Sequence, residues 1–514
     1  MLKRCIMLTV LIAAGAAFAA FGQDGALTPL EQLGKFLFFD KISVPNSMSC
    51  ADCHAPKTGF VGPIPGINIH GAVYRGAVPQ RFGNRKPPSS AYLTESPIFH
   101  YDAAEGLFIG GNFWDGRATG ERLGSPVAEQ ALGPFLNPVE QNMPSAMAVI
   151  QKVAGSKYAW LWEEVWGEPI SYATPSDVTM NYDRIGFAIA AYEGSSEVNQ
   201  FSSKFDLFWD NAVDAGLSVP AINMCNWGEY LGLGLTEEET YGLALYNDES
   251  KGKCALCHTL EPGASGYPLF TDFTFDNLGV PKNPENPFYG MDKVYINGSP
   301  INPEGADWID PGLGGFLASR PEYASMAAEN WGKHKVPTVR NVDKRPDPDF
   351  TKAYMHNGVF KSLKEVVHFY NTRDVEMWPP PEVPQNVNTD ELGNLGLTDA
   401  EENAIVAFMG TLSDGYVMEA VQQYAVESDP SLRVSGPNPF NPSTVISYSL
   451  AVAERVQLNV FDISGRKVAT LVDGPQTAGE HSINFNASHL ASGVYFARFV
   501  TGDKTLTTKL VLLR

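Results

Sequence analysis

Two copies of one five-residue pattern constrain this chain more than anything else in it: Cys50-Ala51-Asp52-Cys53-His54 and Cys254-Ala255-Leu256-Cys257-His258. They use four of the six cysteines, and each sets a histidine directly after its second thiol. A four-cysteine zinc site or a redox dithiol has no need of histidine at the same offset in both copies. Covalent attachment of c-type haem needs all three side chains, because two thiols add to the vinyl groups and the adjacent imidazole coordinates the iron. The pattern therefore predicts two covalently attached c-type haems. One is tethered by Cys50 and Cys53 with His54 as iron ligand, the other by Cys254 and Cys257 with His258.

Residues 1–23 carry Lys3 and Arg4, then an apolar run from Ile6 through Phe21 and small-residue cleavage options near Ala19 and Ala20. This predicts a secretory signal peptide and an exported protein, and no later stretch has the ~18–20 apolar residues of a spanning helix. Export places the chain in the periplasm and then at the cell surface or outside the cell. Cys5 falls within the removed segment, which leaves Cys225 as the remaining cysteine outside the pentads, expected as a buried thiol. The 58 acidic against 37 basic residues, a net charge of −21, argue against nucleic acid or an anionic membrane as partner. A basic redox protein is compatible with that surface.

From Leu27 to about Gly415 the chain reads as helices joined by long Gly- and Pro-rich loops. Apolar residues recur at three and four in 29–38, 184–192, 236–246 and 398–409. Thr236 followed by Glu239 has the form of a capping box. A helix precedes each pentad, and aperiodic stretches such as 259–335 suit the walls of a cofactor pocket. After Val417 the texture changes to short alternating runs, 445–450, 456–461 and 493–499, with turns expected at Ser464-Gly465, Asp473-Gly474 and Ser492-Gly493. The predicted fold is mainly α, with two cytochrome-c-like haem domains (24–205 and 206–416), a linker (417–434) and a small C-terminal Ig-like β-sandwich (435–514).

A haem does chemistry only if an axial position is open or can be opened. His70, the first histidine after His54, is the candidate to close the distal side of the first haem. The blocks that follow carry a resemblance. Leu37-Phe38-Phe39-Asp40, Phe113-Trp114-Asp115-Gly116-Arg117, Gln130, Glu140, Val339-Arg340-Asn341 and Tyr354-Met355-His356-Asn357-Gly358 occur in the order seen in the bacterial di-haem cytochrome c peroxidases and their tryptophan-oxidising relatives. Residues 27–415 resemble that family. The resemblance implies that Glu140 is the general acid/base moving a proton between the oxygens of peroxide, that Gln130 hydrogen-bonds the bound oxygen, and that Trp114 lies between the haems as an oxidisable relay.

This chain also departs from the peroxidase pattern. Fourteen residues after His356, where the peroxidases usually place a methionine ligand, stands Tyr370, as in the tryptophan-oxidising branch. Met355, Met377 and Met409 are the other candidates for that iron. The family's bridging calcium uses an asparagine where this chain has Lys86, and a cation in place of an oxygen ligand argues against calcium.

The last eighty residues resemble the C-terminal sorting domains of type IX secretion. The likeness rests on Pro437-Asn438-Pro439-Phe440-Asn441-Pro442, on 460–468, on Leu490-Ala491-Ser492-Gly493-Val494-Tyr495 and on the terminal 509–514, and it implies the secretion machinery as a partner. The expected function is reduction of hydrogen peroxide with electrons from a donor such as a small cytochrome. Peroxide-driven oxidation of tryptophan or tyrosine in a partner protein and simple electron carriage are the alternatives, and a homodimer is compatible with either enzyme.

Overall fold

Thr28 starts the first helix by accepting the Glu31 amide while the Glu31 carboxylate returns to the Thr28 amide, a reciprocal cap with Pro29 at the first helical position. This helix, α1 (Pro29–Phe39), buries Leu33, Leu37 and Phe38. The structure is a computed structural model that describes residues 27–416, 430–450, 454–476, 479–502 and 504–513. The expected signal peptide and most of the expected linker lie outside the described residues.

Two further helices of the first half matter for the site: α2 (Pro126–Leu136), capped by Ser125, and α3 (Pro175–Glu193), capped by Thr174 and Asp177. The second half is built from α4 (Glu237–Asn247), α5 (Leu363–Thr372) and α6 (Asp399–Gly410), each opened by a capping box at Thr236, Ser362 or Thr398. The same device joins helices in both halves. A Cβ on Gly34 of α1 would stand 1.8 Å from the Ala188 carbonyl oxygen of α3, and one on Gly242 of α4 would stand 1.9 Å from that of Ala404 on α6. Each half therefore has a helix that precedes its pentad and crosses a later helix at backbone contact, which only glycine permits.

Around each crossing lies a separate apolar core. Leu33, Leu37, Trp162, Ile185 and Ile189 are among the residues of the first, and Phe205, Leu243, Phe369, Ile405 and Phe408 are among those of the second. Residues up to Gly415 nonetheless form one compact unit. Buried Arg340 fastens it: its guanidinium pairs with Asp206 at 3.0 Å and faces the rings of Phe201 and Tyr92 at 4.6 and 5.1 Å. Two lysines act like structural cations. Lys352 donates to the Thr58, Asn341 and Lys344 carbonyls, and Lys361 to those of Asn68, His70 and Gly358.

The C-terminal unit has seven strands: β1 (Ser431–Val434), β2 (Ser443–Leu450), β3 (Glu454–Asp462), β4 (Lys467–Gln476), β5 (Gly479–Asn486), β6 (Gly493–Thr501) and β7 (Lys504–Leu512). They form two antiparallel sheets, ordered β5-β2-β1 and β4-β3-β6-β7. Their inner faces share one core, in which Tyr448 meets Phe499 at 4.8 Å. Two expectations change. The β unit begins at Ser431, four residues before the expected boundary, because β1 pairs with β2. Asp473-Gly474 is strand rather than turn, since both residues pair with β3 and Asp473 takes the Arg455 guanidinium at 2.9 Å. Among the described residues no helix is long and apolar enough to cross a membrane.

Candidate active site

Each pentad is a single 3-10 turn, Cys50–Asp52 and Cys254–Leu256, and the histidine amide of each closes back on the first cysteine carbonyl at 2.9 Å. The turn brings both thiols and the imidazole to the wall of one cavity. His54 Nδ1 lies 3.2 Å from the Phe60 carbonyl and His258 Nδ1 3.0 Å from that of Phe270. A carbonyl partner fixes Nδ1 as the protonated nitrogen and leaves Nε2 to ligate. Burial pulls the His54 pKa down to about 4 and also lowers that of His258, so both imidazoles are held in the neutral, ligating form. The cavities offer about 1020 and 1300 Å³ of space between atoms, counting the solvent at their mouths. The residues present fit two c-type haems, with His54 and His258 as the proximal ligands.

The first cavity is the more polar of the two. Gln130 and Glu140 line it together with Arg75, Arg85, Lys86, Arg117, Gln141 and Glu193. Gln130 comes from α2, whose neighbouring Glu129 ties down the loop before the helix by accepting the Gly120, Arg122 and Leu123 amides. Glu140 follows α2 and accepts the Asn137 side-chain amide at 3.1 Å. Burial raises the Glu140 carboxyl above the usual carboxylate range, opposed by the charge of Arg117 and by the Asn137 bond. Arg117 itself is gripped by Asp115 at 2.7 Å and stacks on Phe113 at 3.9 Å.

His70 does not join them. Its side chain is 66 % exposed, its Nδ1 lies 3.2 Å from Glu285, and its carbonyl is held by Lys361 at 2.7 Å. The expected closure of the first haem by His70 is therefore absent from this conformation, because the loop that carries it is fastened facing solvent.

The second cavity is apolar, walled by Leu278, Val280, Val339, Val342, Val366 and Leu392 among others. Tyr370 lines it from α5, and no described residue hydrogen-bonds its hydroxyl. Burial keeps the phenol pKa above its ordinary value. Met355 and Met409 also line this cavity, whereas Met377 is 99 % exposed and cannot serve as a ligand here. Cys225 is exposed rather than buried, in a turn where its amide donates to Asn223.

Trp114 lines both cavities. Its indole N–H donates to the Lys86 carbonyl at 2.8 Å, and its ring meets that of His356 edge-on at 6.4 Å. His356 stacks on His334 at 3.6 Å, and His334 reaches Asp310, which Arg85 holds with two bonds. Sequence reasoning passed over Arg85, Arg117, His334 and His356 as site residues. Arg117 and His356 stood inside motifs already noticed, while Arg85 and His334 gave no local signal. Lys86 does not fit a calcium site: its ammonium faces the first cavity and donates only to the Pro87 carbonyl at 3.3 Å.

Two pentad turns, each with an oriented imidazole at its own cavity, define a c-type di-haem protein. The chain belongs to the di-haem cytochrome c peroxidase family. The family's profile matches residues 28–214, and that of the secretion system C-terminal sorting domain matches residues 437–513. The methylamine utilization protein MauG of Paracoccus denitrificans is 33 % identical over 424 residues, covering 79 % of this chain and 94 % of that protein. The cytochrome-c peroxidase IdrP2 of Denitromonas iodatirespirans is 24 % identical over 387 residues, 74 % and 81 % of the two chains. Among solved structures, the diheme peroxidase BthA of Burkholderia thailandensis matches with a TM-score of 0.58 at 30 % identity, covering 76 % of this chain and 87 % of that one.

Proposed function

We propose that this protein reduces hydrogen peroxide in the first cavity with electrons that enter through the second, each cavity belonging to its own haem domain. The observation that carries the reading is the polar set of Glu140, Gln130 and Arg117 beside the first pentad while His70 faces solvent. The haems supply the redox chemistry. Glu140, in its ionised form, takes a proton from one peroxide oxygen and returns it to the other, which leaves as water. Arg117 offsets the cost of that buried charge, and Gln130 donates a hydrogen bond to a peroxide oxygen.

Tyr370 supports a division of labour. A phenolate ligand would favour the oxidised metal, whereas a methionine would raise its potential. That feature also favours a second reading, in which the electrons come from tryptophan or tyrosine of a partner protein. The acid-base groups of the first cavity argue against simple electron carriage. The sorting domain supports delivery by the type IX machinery through the periplasm to the cell surface or beyond, with the charge balance suiting a basic cytochrome as donor.

The test is electron paramagnetic resonance of the as-isolated oxidised protein alongside peroxide turnover with a reduced cytochrome. An open high-spin haem and immediate turnover are expected. Two low-spin haems that never open would leave only electron carriage.

A further inference from the structure

Among the described residues Trp114 is the one side chain that lines both cavities, and its surroundings restrict what it can do when it loses an electron. Its indole N–H points at the Lys86 carbonyl, 2.8 Å away. An amide carbonyl is no base at physiological pH, so the indole must keep its proton and the positive charge of oxidation must stay on the ring. The Lys86 ammonium stands 5.8 Å from the centre of that same ring. It has one hydrogen bond, to the Pro87 carbonyl, and no described carboxylate pairs with it. Burial lowers its pKa to about 8, which leaves it charged at neutral pH. The backbone fixes the arrangement, since the Lys86 amide donates to the His356 carbonyl at 2.9 Å and the His356 ring meets Trp114. A cation over a neutral indole is attracted to its face. Over an oxidised indole the same contact is repulsion between like charges in a poorly screened site.

We propose that Lys86 is the positioning residue that sets the oxidation potential of Trp114, so that the indole serves as a bridge between the cavities and not as a resting place for the hole. The inference rests on the peroxidase reading for its oxidant. Hydrogen peroxide takes two electrons and two protons and yields two waters. Each electron that leaves Trp114 towards the first cavity is replaced from the second, and the indole proton never leaves nitrogen.

The experiment compares the holoprotein with Lys86→Met, which removes the charge at similar length, and Lys86→Arg, which keeps it. Each is mixed with one equivalent of hydrogen peroxide at pH 7, frozen within milliseconds and examined by electron paramagnetic resonance for an indole cation radical. Lys86→Met is expected to hold at least about tenfold more radical than the wild type, with Lys86→Arg close to the wild type. The added signal should vanish in Lys86→Met combined with Trp114→Phe. Flash oxidation by a ruthenium complex generates the radical without peroxide, so failure of peroxide turnover and failure of the Lys86 effect are separate results. No gain of radical in a fully haem-loaded Lys86→Met protein under flash oxidation would overturn the proposal. So would a Lys86→Arg protein that behaves like Lys86→Met.

Discussion

The two cavities share a plan and differ in chemistry. Each sits on a Cys-x-x-Cys-His turn with a carbonyl-oriented imidazole, beneath a pair of helices crossing at a glycine. The first is lined by carboxylates, an amide and guanidinium groups, the second by branched aliphatic side chains with Tyr370 among them. A buried polar set is costly unless its members partner one another, as Glu140 does with Asn137 and Arg117 with Asp115. An apolar wall needs no such support. The contrast teaches that one architecture can carry two quite different linings.

The comparison breaks most sharply at Glu140. Glu140→Gln is expected to cut peroxide turnover by about 100-fold or more while both haems stay attached and the spectrum of the second is unchanged. Turnover at the wild-type rate would remove proton transfer from the first cavity. Next in size is the shared crossing: Gly34→Val and Gly242→Val should each cost roughly 1–3 kcal/mol or more through overpacking. Thermal melts followed at haem absorbance would show whether the two halves unfold together, as one compact unit requires.

A smaller effect is expected at the clasp on the His70 loop. Lys361→Met strands three carbonyls at a cost of roughly 1–3 kcal/mol, and hydrogen exchange in residues 64–71 should rise. If the clasp is what keeps His70 away, the variant also shows a lag before full turnover. Unchanged exchange and no lag would leave Lys361 without that part.

The least effect is on the pH profile. The raised Glu140 pKa means that the base is lost at higher pH than an exposed glutamate would be. The acidic limb of kcat/KM should therefore lie above the usual carboxylate range, with activity falling as pH drops through it. A limb within the ordinary range would place the titrating group elsewhere.

Much of the helical half was legible from local chemistry. The caps at Thr236 and Thr398 and the apolar spacing of 29–38 are signals within a few residues of one another, and the helices begin where those signals stand. Asp473-Gly474 misled for the opposite reason: a turn-prone pair was overridden by cross-strand partners on β3. His70 shows the same limit at the site. Its distance along the chain from His54 suited a distal ligand, but its position is set by Glu285 and Lys361, more than 200 residues away.

By itself the sequence determined the covalent chemistry and the modular order, because two pentads, periodic apolar runs and an alternating tail act through neighbours in the chain. Only the tertiary structure decided what stands between the haem cavities. Trp114, His356, His334, Asp310 and the adjacent pair Arg85 and Lys86 come from five separate segments and meet through contacts of which some span more than 200 residues. No local pattern encodes such a meeting, since it depends on how the two cores pack and not on any one segment's propensity.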